Sequence, residues 1–258
     1  MGKQATDELA FSYLNAIDGH GQEDLFYGYV QDNQPTPAEE TERLLSYLRR
    51  SHQAGKTILV TDYCTRPEYA ADALDRCTAE GFVSFSAPQR ELNIIPMSNP
   101  PHENAQDIMQ LADVQNFLYL INPENYDTRA DFVEAVSKTN HDLIIMDLFF
   151  NDGSAFTADE IALLKRKSNG GQRLVICYLS IGEAEDYRYY WQSEWRHHKP
   201  AWLAKRNPHW AGNYKVRYWH SEWQTIICGP DDSYLSRILT AGFDGVYLDI
   251  IDAFEYFE

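Results

Sequence analysis

A short unit recurs along this chain: a helical stretch, a glycine, then at once a run of apolar β-formers. Thr36-Pro37-Ala38-Glu39 has the form of a capping box with proline at the first helical position. Leu44, Leu45 and Leu48 then share one face, Gly55 stops the helix, and Thr57-Ile58-Leu59-Val60 follows. Glu68 to Glu80, Gly81 and Phe82-Val83-Ser84-Phe85 repeat the unit. So do Thr157-Ala158-Asp159-Glu160, Gly170-Gly171 and the run from Leu174 to Tyr178. Ser233 to Thr240, Gly242 and Val246-Tyr247-Leu248 repeat it again. Phe117 to Ile121 and Leu143 to Met146 are further buried-strand candidates. Such a grammar predicts an α/β fold of parallel strands joined by crossover helices. An open doubly wound sheet and a closed barrel both satisfy it. No GxGxxG or GxxxxGK[ST] follows a strand, which weakens the nucleotide-binding open sheets, so a barrel is expected. At 258 residues the chain fits one such domain, 1–258, with Pro96 to Asn104 as its only candidate joint.

Composition narrows the partners. The net charge is −17, from 39 acidic and 22 basic residues, and an acidic surface repels phosphate backbones, so no nucleic-acid partner is expected. The same charge fits simple solubility or attraction for a cationic substrate. No apolar run reaches the roughly 18 residues of a membrane span, and Met1-Gly2-Lys3-Gln4 does not open a signal peptide. Cys64, Cys77, Cys177 and Cys228 form no CxxC pair; buried free thiols are expected, with a Cys64–Cys77 bridge as the alternative. The oligomeric state is not legible.

Parallel α/β folds place their sites at the C-terminal ends of strands, and carboxylates collect there. Asp62 follows Ile58 to Val60, and Asp147 follows Ile144 to Met146. Glu183 and Glu185 follow Val175 to Tyr178, and Asp249 follows Val246 to Leu248 with Asp252 three residues on. Carboxylates converging on one rim raise each other's pKa, which separates general-acid from nucleophile roles. Glycoside hydrolysis asks for two carboxyl groups and little else. Tyr187, Tyr189, Tyr190, Trp191, Trp195, Trp202, Trp210, Tyr214, Tyr218, Trp219 and Trp223 lie in a long excursion beyond Glu183. Their faces suit sugar rings, though about half are expected in the core. The histidines are scattered and no GxSxG occurs, so neither a metal, nor a cofactor, nor a serine triad is expected.

The stretch from Tyr178 to Arg188, Gly212-Asn213-Tyr214-Lys215-Val216-Arg217-Tyr218-Trp219 and Gly242-Phe243-Asp244-Gly245-Val246-Tyr247-Leu248-Asp249 resemble the endo-α-1,4-polygalactosaminidase family of glycoside hydrolases, family 114, and its cysteinyl-tRNA-synthetase-related bacterial relatives. The first residues resemble the same family's C-terminal half: Ile17 to Tyr27 looks like the segment that follows its Tyr-Leu-Asp strand. The resemblance therefore implies a circularly permuted TIM-type (β/α)8 barrel, with 1–99 the family's C-terminal half and 105–258 its N-terminal half. One strand is missing or reduced to the few residues before Asp7-Glu8-Leu9. It implies cleavage of α-1,4-linked galactosamine polymer in an extracellular or periplasmic setting, without a cofactor. The catalytic pair maps onto Asp249 and Glu23, with Asp62, Asp147, Tyr178, Glu183, Glu185, Trp219 and Asp252 around it to bind substrate. A non-catalytic polysaccharide-binding barrel, or a glycosidase for another amino sugar, are the alternatives.

Overall fold

Each helix-stop-strand unit becomes a helix feeding a parallel strand. The computed structural model describes residues 7–258. In it α1 (Asp7–Ala16) leads into β1 (Gly19–Glu23), α2 (Ala38–Gln53) into β2 (Thr57–Tyr63) and α3 (Pro67–Glu80) into β3 (Val83–Ala87). After a long connection come β4 (Phe117–Tyr119), α4 (Arg129–Ser137), β5 (Leu143–Met146), α5 (Ala158–Leu164) and β6 (Leu174–Ser180). The excursion holds β7 (Glu183–Glu185), β8 (Leu203–Arg206), β9 (Asn213–Val216) and α6 (Ser221–Cys228); α7 (Tyr234–Thr240) then feeds β10 (Gly245–Asp249). The expected strand remnant ahead of Asp7 lies outside the described residues.

Local signals hold where nothing distant competes. Thr157 and Glu160 form a reciprocal capping box, Ser233 caps α7, and Gly81 ends α3 at φ 74°. The box expected at Thr36 does not form. The N-cap of α2 is Pro37, and Thr36 instead donates to the Asp24 carbonyl at 2.8 Å. A tie to the β1 exit loop has outcompeted the local cap.

The parallel strands pair as β1-β2-β3 and as β10-β6-β5-β4, while β7, β9 and β8 form a separate antiparallel sheet. The inner faces of the two parallel sheets share one core. Phe85 of β3 packs on Phe117 of β4 at 5.4 Å, and Tyr119 of β4 on Tyr247 of β10 at 5.2 Å. Alternate residues of β2 divide between layers: Leu59 and Tyr63 join that core, whereas Ile58 and Val60, with Cys64 just past the strand, pack outward with Leu45, Leu48 and Ala73 beneath α2 and α3. Cys64, Cys77, Cys177 and Cys228 are all free, so the bridge does not form. The connection from β3 to β4 is no loose joint. Buried Lys167 donates to Asp142 at 3.0 Å and to the Asn104 carbonyl at 3.0 Å, pinning it beneath β5.

Among the described residues no strand pairs with the outer edge of β1 or of β10. A cavity of about 1050 Å³ is lined by both, through Gly19, Gly21, Tyr247, Leu248 and Asp249. Leu248, at 44% exposure, stays wet where β5 is fully covered. One contact between the two strands is a side chain on backbone: Tyr247 reaches so close to Gly21 that a Cβ there would lie 2.1 Å from its hydroxyl. Gly21→Ala should therefore destabilise the chain by about 1–3 kcal/mol in urea denaturation. Adding Tyr247→Leu should recover part of that loss, and no recovery would mean that this contact does not join the strands.

Candidate active site

Glu23 and Asp249 are the last residues of β1 and β10, at the C-terminal ends where parallel folds build sites. Their neighbours are fixed by register: Glu23 stands beside Thr61 of β2, and Asp249 beside Ser180 of β6. Tyr178, two residues below Ser180, donates its hydroxyl to Asp249 Oδ2 at 2.6 Å. Burial raises the Asp249 carboxyl, while the Tyr178 hydroxyl and the Ile250 amide favour its anion; Asp252 and Glu185 raise it slightly by repulsion. Glu23 is pushed further, to about 7, by burial first and then by the charges of Asp249 and Asp24. Hydrogen bonding from Tyr63 and the charge of Arg90 act the other way. The two carboxyl groups are thus both raised by burial, with the charge of Asp249 acting on Glu23 and the Tyr178 hydroxyl opposing the rise at Asp249.

The rest of the acidic rim is not free charge. Asp147 is gripped through both oxygens by Arg188, at 2.9 and 2.6 Å, and also accepts from the Phe149 amide at 2.8 Å. The same guanidinium bonds Glu185 at 2.5 Å, and Tyr187 donates to the other Glu185 oxygen at 2.5 Å. One arginine therefore compensates two buried carboxylates, as burial demands. Glu183, expected at the rim, is fully buried and accepts from Asn207 at 2.8 Å and Asn213 at 3.1 Å, so it secures the antiparallel sheet. Asp62 needs a larger correction. It lies on the helix-facing side of β2, where its Oδ1 accepts from the amides of Phe26 at 2.7 Å and Tyr27 at 2.9 Å. It holds the loop after Glu23 rather than lining a cleft, and burial lifts it to about 6.

Of the remaining expected residues, Asp252 is exposed and close enough for its charge to raise Asp249. Trp219 is half exposed, edge-on to Phe257 at 4.9 Å and to Tyr218 at 5.1 Å, and leaves an apolar aromatic surface open to solvent. Sequence reasoning passed over Arg188, Tyr63 and Arg90. Arg188 stands three residues beyond Glu185, and Arg90 three beyond β3. Position just past a strand end was the one available signal.

Burial makes Glu23 a pH-dependent liability. Its folded value of about 7 exceeds the ordinary 4.5, so the folded chain keeps a proton that the unfolded chain has released. Stability contributed by this group is present below pH 4.5 and falls as pH rises to about 7. Glu23→Gln should accordingly be more stable than the parent at pH 8, with the gain vanishing towards pH 4.5. Melting temperatures across that range check it; a uniform offset would show that Glu23 is not buried as described.

A family model described as glycoside-hydrolase family GH114 matches residues 98–258. An uncharacterized protein of Methanocaldococcus jannaschii, MJ1477, is 40% identical over 157 residues, covering 60% of this chain and 41% of the relative. An uncharacterized protein of Deinococcus radiodurans is 37% identical over 161 residues, covering 62% and 46%. The chain matches less than half the length of these relatives. The crystal structure of Aspergillus fumigatus Ega3 in complex with galactosamine is 21% identical with a TM-score of 0.34, covering 63% of this chain and 50% of that one; so slight a likeness carries no argument.

Proposed function

This chain belongs to glycoside-hydrolase family GH114, and on that premise we propose that it hydrolyses an α-1,4-linked, galactosamine-containing polysaccharide with Glu23 as general acid/base and Asp249 as nucleophile. The observation that carries the roles is the hydrogen bond from the Tyr178 hydroxyl to Asp249, beside a deeply buried Glu23. Glu23, lifted to about 7, keeps a proton to give. Asp249 has its anion supported by the Tyr178 hydroxyl and a backbone amide. In the first step Asp249 bonds to the anomeric carbon as the glycosidic C–O bond breaks, and the Glu23 proton passes to the departing oxygen. In the second, Glu23 takes a proton from water, the water oxygen bonds to the anomeric carbon, and Asp249 leaves. Trp219 and Asp252 provide an apolar face and a negative charge for an amino sugar. The net charge of −17 supports attraction of a cationic polymer.

The proposed architecture is one domain, a circularly permuted (β/α) barrel short of one strand. The family match starting at residue 98 supports it, because a linear comparison of a rotated chain can align only one of its halves. By the same membership we place the protein outside the cell or in the periplasm. Among the described residues no helix is long and apolar enough to cross a membrane. One observation favours the alternative of a binding protein without activity: the strands carrying Glu23 and Asp249 share no hydrogen bonds.

Reducing-end release from a partly deacetylated galactosamine polymer separates the two. Asp249→Asn and Glu23→Gln should each lower turnover by roughly 100- to 10,000-fold, while calorimetric binding of a galactosamine oligomer persists. Full turnover in Asp249→Asn would reject the assignment, and binding without turnover in the parent chain would favour the binding protein. Proton NMR of the first product should show retained configuration; inversion would make Asp249 the base for an attacking water. Loss of the Glu23 proton should bring the rate down as pH rises through about 7.

Tyr178→Phe tests the other member of the pair. Without the hydroxyl that favours its anion, Asp249 should ionise at higher pH, so the acid limb of the rate profile should move upward. An unmoved limb would remove Asp249 from that ionisation.

A further inference from the structure

Beyond Glu23 the chain turns back over β2 before α2 begins, and the neighbouring strand ends pin this loop. The Asp24 amide donates to the Thr61 carbonyl at 2.9 Å, and the Asn33 amide to the Tyr63 carbonyl at 3.0 Å. Asp62 holds Phe26 and Tyr27, and Asn33 Oδ1 accepts from the Thr65 amide at 2.8 Å. Asp24 takes a left-handed φ of 58°, a conformation aspartate tolerates better than most residues. Its carboxylate meets Arg90, from the loop after β3. Arg90 Nη2 and Nη1 reach the two Asp24 oxygens at 2.9 and 3.3 Å, and Nε reaches Asp32 at 2.6 Å. Nη2 also bonds the Gly28 carbonyl. Gly28 has a φ of 117°, and a Cβ there would lie 2.1 Å from Asp24 Oδ1, so the turn that receives Arg90 needs glycine. The guanidinium lies 4.1 Å above the ring of Tyr63, whose side chain acts to lower the Glu23 carboxyl.

From this geometry we propose that Arg90 is a positioning residue for Glu23, tying the ends of β1, β2 and β3 together and setting the charge that Glu23 meets. The groups facing Glu23 are Asp249 and Tyr247 from β10, Tyr119 from β4, Tyr63 from β2, Asp24 next in the chain, and Arg90. Arg90 is the cation of that set. Lysine is no equivalent, because it keeps the charge but loses the planar fork that spans Asp24 and Asp32 and stacks on Tyr63. The role assumed for Glu23 rests on the proposed function; the link from Arg90 to Glu23 does not, and can be read without substrate.

The experiment is a carbon-13 NMR titration of the Glu23 carboxyl in the full chain, assigned by its loss in Glu23→Gln. Arg90→Met should raise the Glu23 midpoint by about one pH unit, the scale of a nearby opposite charge, and Arg90→Lys by less. Arg49→Met removes an arginine paired with Glu80 on the helical layer and should leave the midpoint in place. If the polymer is cleaved, the basic limb of the rate profile should move up with the midpoint. An unmoved midpoint in folded Arg90→Met overturns the proposal, since a merely structural residue would cost stability alone. Should Arg90→Met fail to fold, Arg90→Lys decides: a partial rise supports the proposal, and an unchanged midpoint overturns it. A parent chain that cleaves nothing leaves this titration intact and counts only against the proposed activity.

Discussion

Glu23 and Asp249 are carried by two strands that share no hydrogen bond, so their geometry depends on whatever holds each strand from its paired side. For β10 that is β6, with Tyr178 fixing the Asp249 carboxyl across the ladder. For β1 it is β2 and the loop tied down by Asp62, Asn33 and Arg90. Between the two strands, Tyr247 against Gly21 is the bridging contact, and it is packing rather than pairing. Side-chain packing is less directional than a strand ladder, which is why so many polar ties gather at the ends of β1 and β2.

Charge is managed unevenly around this frame. An acidic chain could present its strand-end carboxylates as an open negative rim. Instead Arg188 absorbs Asp147 and Glu185, paired asparagines absorb Glu183, and backbone amides absorb one oxygen of Asp62. Each arrangement follows from burial, because a carboxylate removed from water must find donors or neutralise. Glu23 and Asp249 are the members without an arginine gripping both oxygens. Burial raises both, the charge of Asp249 adds to the rise at Glu23, and the Tyr178 hydroxyl and Ile250 amide work against it at Asp249.

The candidate site was legible in part, and the failures have a common cause. Carboxylates at strand ends could be read because strand ends could be read. Which face each carboxylate takes could not. Parallel strands covered on both sides are apolar at every position, so β2 offers no alternation to show that Asp62 points to the helices and Tyr63 to the core. The pairing of Asp147 with Arg188 spans 41 residues of sequence and leaves no local trace. β1 itself, Gly19-His20-Gly21-Gln22-Glu23, has no β-forming residue, and only a family resemblance located it.

What the sequence determined by itself is everything decided within a few residues: the helix caps at Thr157 and Ser233, the left-handed stop at Gly81, and the strands that follow each stop. Tertiary structure decided whatever required two distant segments to compete for one group. Thr36 gave up its cap for the Asp24 carbonyl, and Gly21 became a strand residue beneath Tyr247. Glu23 and Asp249, 226 residues apart in the chain, came close enough for the charge of Asp249 to act on Glu23. The reason is that a propensity or a cap is worth about a kilocalorie per mole, while burying a core side chain gains more and leaving a buried carboxylate without donors costs more.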